Sequence, residues 1–365
     1  MYPRVPYKAE GVESVKKKAL FGGGEFVVPA IDAPITPVEN FKLSWKRQTP
    51  IWAPNTLVDF DMISMGKTSS FEHLKQKNER FDFVDAYGCE WTYVHEVGGA
   101  MLKPGTCLLE DILDWENVVE LPDWSSRAFI RTQAEEFHKN RKNPNSVLAI
   151  DIGSVGTEVL ISLLGGYEQG MMAMAMEPEA FAELMYAINE NMAKKFDLVL
   201  SLYPSVDMIT FHDDWANEKD AFFSEKYLEV MVYGPTKKLI DHIKAAGDYC
   251  VEFHCCGNMG RFIPYIIDLG VDLLQIQSRA NDFRWIKQNY GDKIGFGSAV
   301  EGIEPGVNIA REEWLEKIRR TIDLYGGEGG FYLSSMGFPR DEELLWDICF
   351  EAYCYSREYY DKKRA

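Results

Sequence analysis

The sequence lacks any apolar run of the roughly 18 residues that a membrane-crossing helix needs, so no span is expected. Basic residues are also in deficit. Lys and Arg number 39 against 57 Asp and Glu, a formal net charge of −18. Gripping phosphates takes Lys and Arg, so the charge argues against nucleic acid as the main partner. The basic runs Lys16-Lys17-Lys18 and Lys362-Lys363-Arg364 stand among acids and read as solvated surface. Cysteines are few, seven in 365 residues, and the start of the chain lacks a signal peptide's apolar core. Free thiols in a reducing, cytoplasmic compartment are therefore expected. No glycine-rich dinucleotide fingerprint follows any apolar run, which weakens the case for a doubly wound open sheet. There is no internal repeat and no low-complexity tract.

What is present is ordinary globular material, 46% hydrophobic and 26% charged. A core of this size needs no disulfide staples. Gly22-Gly23-Gly24 and the prolines at 29, 34 and 37 suggest loops, and residues 1–48 read as an irregular N-terminal extension. From about residue 144, short apolar runs alternate with long amphipathic segments, the signature of βα units and a parallel sheet. Val147–Gly153, Asp207–Asp214, Cys250–Asn258, Leu273–Ser278, Ile294–Val300 and Gly330–Met336 read as strands. Pro178–Ser201, Ser224–Ala246, Gly260–Leu269, Asp282–Tyr290, Glu312–Tyr325 and Asp341–Tyr360 read as helices. Pro50–Ala53 and Asp82–Val94 could supply two further strands. The fold class predicted is thus α/β, a single (β/α)8 TIM barrel over residues 1–365 with an N-terminal elaboration.

In such a barrel, chemistry collects at the C-terminal strand ends. Strand 207–214 delivers His212, Asp213 and Asp214. Strand 250–258 delivers Glu252, His254, Cys255, Cys256 and Asn258. Residues two apart on a strand share a face, so His254 and Cys256 can point into one cavity with Cys255 turned away. An imidazole and a thiolate suit zinc, but a third ligand must come from elsewhere; the alternative is a buried His with two inert thiols. Adjacent carboxylates such as Asp213 and Asp214 can divide into an ionised stabiliser and a proton donor, or one of them can cap a helix. Strand 273–278 delivers Gln275, Gln277 and Ser278, strand 294–300 leads to Glu301, and the last strand leads to Ser334, Ser335 and Met336. The Met171–Met176 cluster reads as packing.

FHDDW (Phe211–Trp215), FHCCGN (Phe253–Asn258), Tyr265–Ser278, Tyr290–Gly302 and Gly329–Pro339 together resemble the uroporphyrinogen decarboxylase superfamily, over roughly the C-terminal 60% of the chain. The resemblance implies one barrel and either of two chemistries: cofactor-free decarboxylation of a tetrapyrrole, or methyl transfer between a corrinoid protein and a small substrate. The decarboxylases carry an Arg-Gln-Ala-Gly-Arg-Tyr motif whose arginines bind carboxylates. The comparable stretch here, Thr49–Thr56 (TPIWAPNT), has no arginine, and a polycarboxylate would need paired cations. The methyltransferases carry His-x-Cys, matched by His254 and Cys256, and a distant Cys whose place here is taken by Met336, a poor zinc ligand. Glu252, Glu301 or His212 could complete the set, or no zinc is bound.

The resemblance therefore implies a methyltransferase that moves a methyl group from a small-molecule donor, a methoxylated aromatic, to the cobalamin-type corrinoid of a separate protein. Zinc would be held by His254, Cys256 and Glu301. His212, Asp213 and Asp214 would be catalytic, and Trp215, Phe253, Gln277 and Phe296 would bind substrate. A homodimer is a state open to the family. The competing readings are a cofactor-free decarboxylase and a non-catalytic barrel that binds a corrinoid, a porphyrin or a metal.

Overall fold

The computed structural model describes residues 12–18, 25–65, 80–94, 99–141, 143–303, 308–335 and 337–364. The glycine run at 22–24 and Met336 lie outside them. Along the chain the main elements are β1 (Ser14–Lys18), β2 (Glu25–Pro29), α1 (Pro37–Trp45), β3 (Phe60–Ser64), β4 (Phe81–Val84), β5 (Glu90–Val94), β6 (Gly99–Leu102) and α2 (Ala128–Asn140). Then come β7 (Val147–Ser154), α3 (Gly156–Leu163), α4 (Tyr167–Met176), α5 (Pro178–Leu202), β8 (Met208–His212), α6 (Tyr233–Ala245), β9 (Cys250–Cys255) and α7 (Ile263–Leu269). The chain closes with β10 (Leu273–Ile276), α8 (Phe283–Tyr290), β11 (Gly295–Ser298), α9 (Arg311–Tyr325), β12 (Phe331–Leu333) and α10 (Glu342–Arg364).

This is an α/β fold. Seven strands are hydrogen-bonded in the order β12-β11-β10-β9-β8-β7-β3, and the β8–β9, β10–β11 and β11–β12 pairs are parallel. All six strands expected after residue 144 form. An eighth strand of this sheet is not seen among the described residues. The seventh, β3, was not foreseen, and the two proposed upstream strands take other forms. Pro50–Ala53 is no strand: flanked by Pro50 and Pro54, it lacks ladder donors at both ends. Asn40 holds it instead, accepting from the Ile51 N–H (2.7 Å) and donating to the Trp52 carbonyl (2.9 Å). Residues 82–94 fold back as the antiparallel β4–β5 pair of a separate three-stranded sheet. The turn is made by the Asp85 carboxylate, which accepts the Tyr87 and Cys89 N–H groups.

The chain divides into two compact units. The first comprises Met1–Met62, Asn143–Ala149 and Asp272–Ala365. Its N-terminal part is more regular than expected, with an antiparallel β1–β2 pair and a capped α1. Thr36 and Glu39 form a reciprocal capping box, and Pro37 sits in the first turn, where its missing N–H costs nothing. Strands β10, β11 and β12 follow in parallel register, and Gly297 leaves the space that the Tyr332 ring fills. Asp59 is buried here, accepting from the Trp52 indole (3.0 Å) and the Asn55 N–H (2.8 Å).

The second unit comprises Ile63–Lys142 and Ile150–Val271. Its long helix α5 buries Phe181, Leu184, Met185, Ile188, Met192, Phe196 and Val199, a spacing of three and four that puts one stripe inward. Of the methionine cluster on α4, Met174 is buried while Met172 and Met176 are exposed, so the cluster is only partly packing. No helix among the described residues is long and apolar enough to cross a membrane.

Burial pushes the Asp59 carboxyl up to about 6, against the pull of the Asn55 and Trp52 donors and of Lys17. Between pH ~4 and ~6 the folded chain then holds a proton that the unfolded chain has shed. Unfolding free energy should fall as pH rises through that window and level off above it. Asp59→Asn should flatten that slope in denaturant titrations; identical slopes in the two proteins would contradict the assignment.

Candidate functional site

The site forms where β8 and β9 end, wholly within the second unit. The two strands run parallel with His212 opposite His254, and their imidazole rings lie 4.3 Å apart at 67°. The ladder continues past the strand ends: the Val155 N–H donates to the His212 carbonyl (3.0 Å) and the Asp213 N–H to the His254 carbonyl (3.1 Å). Extended backbone alternates its side chains, so His212 and Asp214 leave on one side, as do His254 and Cys256. The result is a cluster of His212, Asp214, His254 and Cys256 whose donor atoms all lie within 4.8 Å of one another. Within it His254 Nε2 is 3.3 Å from Cys256 Sγ, and the Cys256 N–H donates to Asp214 Oδ1 (2.7 Å). Cys255 points the other way. It is fully buried, and burial raises its thiol pKa well above the ordinary range.

Asp213 takes the structural half of the acid pair. Its carboxylate is fully buried and accepts four bonds: Thr157 Oγ1 (2.5 Å), Trp215 Nε1 (2.7 Å), and the backbone N–H groups of Thr157 (3.1 Å) and Glu158 (2.9 Å). Burial raises its pKa to about 7 while these donors pull it down. No face of it is left for a substrate. Gly156, at φ +50°, makes the approach: a Cβ there would lie 2.4 Å from Asp213 Oδ2. The turn after β9 is equally tight, because a Cβ on Gly257 would lie 2.1 Å from the Ala216 carbonyl oxygen.

Other expected residues fall elsewhere. Trp215 and Phe253 are fully buried and packed edge to face at 4.8 Å, and Phe296 is buried against Phe283, Tyr325 and Phe331. All three are core, not walls of a substrate site. Gln277 is half-buried beyond β10, and its carbonyl accepts from Asn281. Glu301 belongs to the first unit. There it pairs with Arg284, accepts from the Tyr325 hydroxyl and has its N–H bonded to Thr321. Burial raises its carboxyl, but Arg284 and Tyr325 outweigh this and hold it below the ordinary value. It is engaged as a surface ion pair and is not in the donor cluster. Glu252, also considered as a ligand, is fully buried and accepts from Thr210.

One residue escaped the sequence reading. Glu158 places its Oε2 3.8 Å from His212 Nε2. Its only sequence signal is its position two residues after a glycine at a strand-to-helix junction.

Residues 86–302 match the family model described as uroporphyrinogen decarboxylase (URO-D), more than half of the chain, and the chain belongs to that family. No curated protein matches it. Among solved structures it is similar to a methyltransferase from Methanosarcina mazei, at 12% identity, 77% of each chain and a TM-score of 0.55. It is also similar to a B12-independent methionine synthase from Shewanella sp. W3-18-1, at 12% identity over 90% of this chain and 88% of that one, with a TM-score of 0.40. At such identity the first likeness bears on fold alone.

Asp213→Asn replaces an acceptor of four bonds by an amide that must turn an NH2 towards some of the same donors. A loss of about 2–4 kcal/mol in urea unfolding is expected. A loss under about 0.5 kcal/mol, the scale of a surface substitution, would show that the carboxylate does not hold this junction.

Proposed function

We propose that this member of the uroporphyrinogen decarboxylase family is a methyltransferase that passes a methyl group from a small methylated donor, a methoxylated aromatic, to the cobalt of a separate corrinoid protein. Closure of the parallel sheet into an eight-stranded barrel is part of the same reading. The observation that carries it is the set of two imidazoles, a thiol and a carboxylate gathered within 4.8 Å at adjacent strand ends.

Those residues fit zinc. Zn–N bonds of about 2.0 Å and Zn–S bonds of about 2.3 Å require ligand atoms some 3.3–3.8 Å apart in a tetrahedron. The cluster needs only a small contraction to reach that spacing. The mixture of nitrogen, sulfur and oxygen donors is also that of zinc. His212, His254 and Cys256 would hold the ion, so His212 stands where the resemblance leads one to expect a distant cysteine. The Glu158 carboxylate 3.8 Å from His212 favours a cation in the cluster. Bound zinc supplies a Lewis acid for the oxygen that the methyl group leaves.

The chain's own groups do the rest. Asp214 is fixed through Oδ1 by the Cys256 N–H, which leaves Oδ2 to relay a proton from solvent water to the departing oxygen. Asp213 holds the strand end that carries His212 and Asp214. A decarboxylase acting on a polycarboxylate is less well served, since the carboxylates of Glu158 and Asp214 already stand beside His212.

Anaerobically purified protein should carry about one zinc per chain, lost in His254→Ala and in Cys256→Ala. Asp214→Asn should keep the metal and slow transfer to a corrinoid protein about 10²–10⁴-fold. Full transfer activity in folded His254→Ala, or in metal-free wild type, would overturn the proposal.

A further inference from the structure

A cavity lies in the same unit, apart from the donor cluster. None of His212, Asp214, His254 or Cys256 lines it. It has a volume of about 60 Å³ for the centres of water-sized spheres, room for one small organic molecule, and it opens to the surface. Tyr87, Trp91, Trp124, Arg127, Val159 and Lys195 are among its walls.

The rings are held in place. The Trp91 indole donates to Asp85 Oδ2 (2.8 Å), and the Trp124 indole to Asn191 Oδ1 (2.7 Å). Asn191 is itself anchored on the Pro122 carbonyl (2.9 Å). The Tyr87 hydroxyl donates to Met192 Sδ (3.3 Å). Such walls need no ordering when a ligand arrives.

Lys195 comes from the buried side of α5 and is only 6% exposed. Its ammonium donates to the Ile152 carbonyl (2.8 Å) and lies 4.9 Å from the Trp124 ring centre. An ammonium has three protons, and one is committed here. Burial lowers its pKa to about 8, with Asp151 and Asp85 holding it up, so it stays mostly cationic at neutral pH. The carboxylates of both acids already accept other donors: Asp85 from Tyr87, Cys89 and Trp91, and Asp151 from Gly153 and Ser64. The Trp124 face attracts the ammonium, but a buried cation still gains from an anionic partner in direct contact.

We infer that this cavity binds a small organic carboxylate, its two oxygens on the Lys195 ammonium and its hydrocarbon part against Trp91, Trp124 and Tyr87. The aromatic walls favour a carboxylate with an apolar body over an inorganic anion. This inference stands on the cavity alone and does not depend on methyl transfer.

The test uses the full chain, with tryptophan fluorescence and calorimetry as readouts and sodium benzoate, neutral benzamide and inorganic phosphate as probes. Benzoate should bind saturably, with benzamide and phosphate each at least about 10-fold weaker. Lys195→Met should weaken benzoate at least about 10-fold, and Lys195→Arg should retain it. Benzamide or phosphate binding as well as benzoate, undiminished affinity in folded Lys195→Met, or no saturation by about 10 mM would each overturn the inference. Should Lys195→Met fail to fold, the wild-type comparison of benzoate with benzamide decides. Benzoate should also bind Cys256→Ala as it binds wild type, which separates this site from the metal cluster.

Discussion

The site depends on one buried carboxylate. Asp213, the first residue beyond β8, ties that strand end to the start of α3 by accepting two backbone N–H groups, a hydroxyl and an indole. Two consequences follow from this single anchor. On one side it sets Glu158 next to His212. On the other, Val159 and Ser162 of the same helix join the wall of the aromatic cavity. The arrangement is possible because Gly156 presents no Cβ to the carboxylate. A helix N-terminus is a natural place for a negative charge, and here it is used inside the protein, between two elements.

The acid pair thereby divides its labour by position. Asp213 faces away from the donors and is consumed by structure; Asp214, one residue on, faces them. The same alternation separates the neighbouring thiols. Cys255 is buried and its proton is held tightly, whereas Cys256 is half-exposed and lies against His254. The chemistry of this region is thus sorted by the two-residue period of extended chain, applied to adjacent parallel strands in register.

Much of this was legible in the sequence. The βα alternation after residue 144 named every strand of that region, because buried parallel strands are short apolar runs whatever their partners. The alternation rule paired His254 with Cys256. Applied equally to β8, it would have added His212 and Asp214 as a pair, for the ladder places the two strand ends side by side. Three kinds of information were out of reach. Glu301 sits at a strand end like the clustered residues, and only its partners Arg284 and Tyr325 reveal another use. Trp215, Phe253 and Phe296 carry no local mark to tell a wall from a core. The fold-back at Asp85–Cys89 turned one apolar run into a hairpin through a side-chain bond that periodicity does not register.

All four donors lie between residues 212 and 256, on two strands that are consecutive in the chain and joined by one helical crossover. The entropy lost in bringing them together is that of closing a single loop of moderate length, and it grows only slowly with the residues enclosed. The cluster is therefore of low contact order even though the unit around it is built from two separate stretches of chain. An emerging polypeptide has all four side chains in hand once Cys256 has been made. On the proposed zinc reading, an ion arriving then would meet its three side chains together and would help to nucleate the strand pair that carries them.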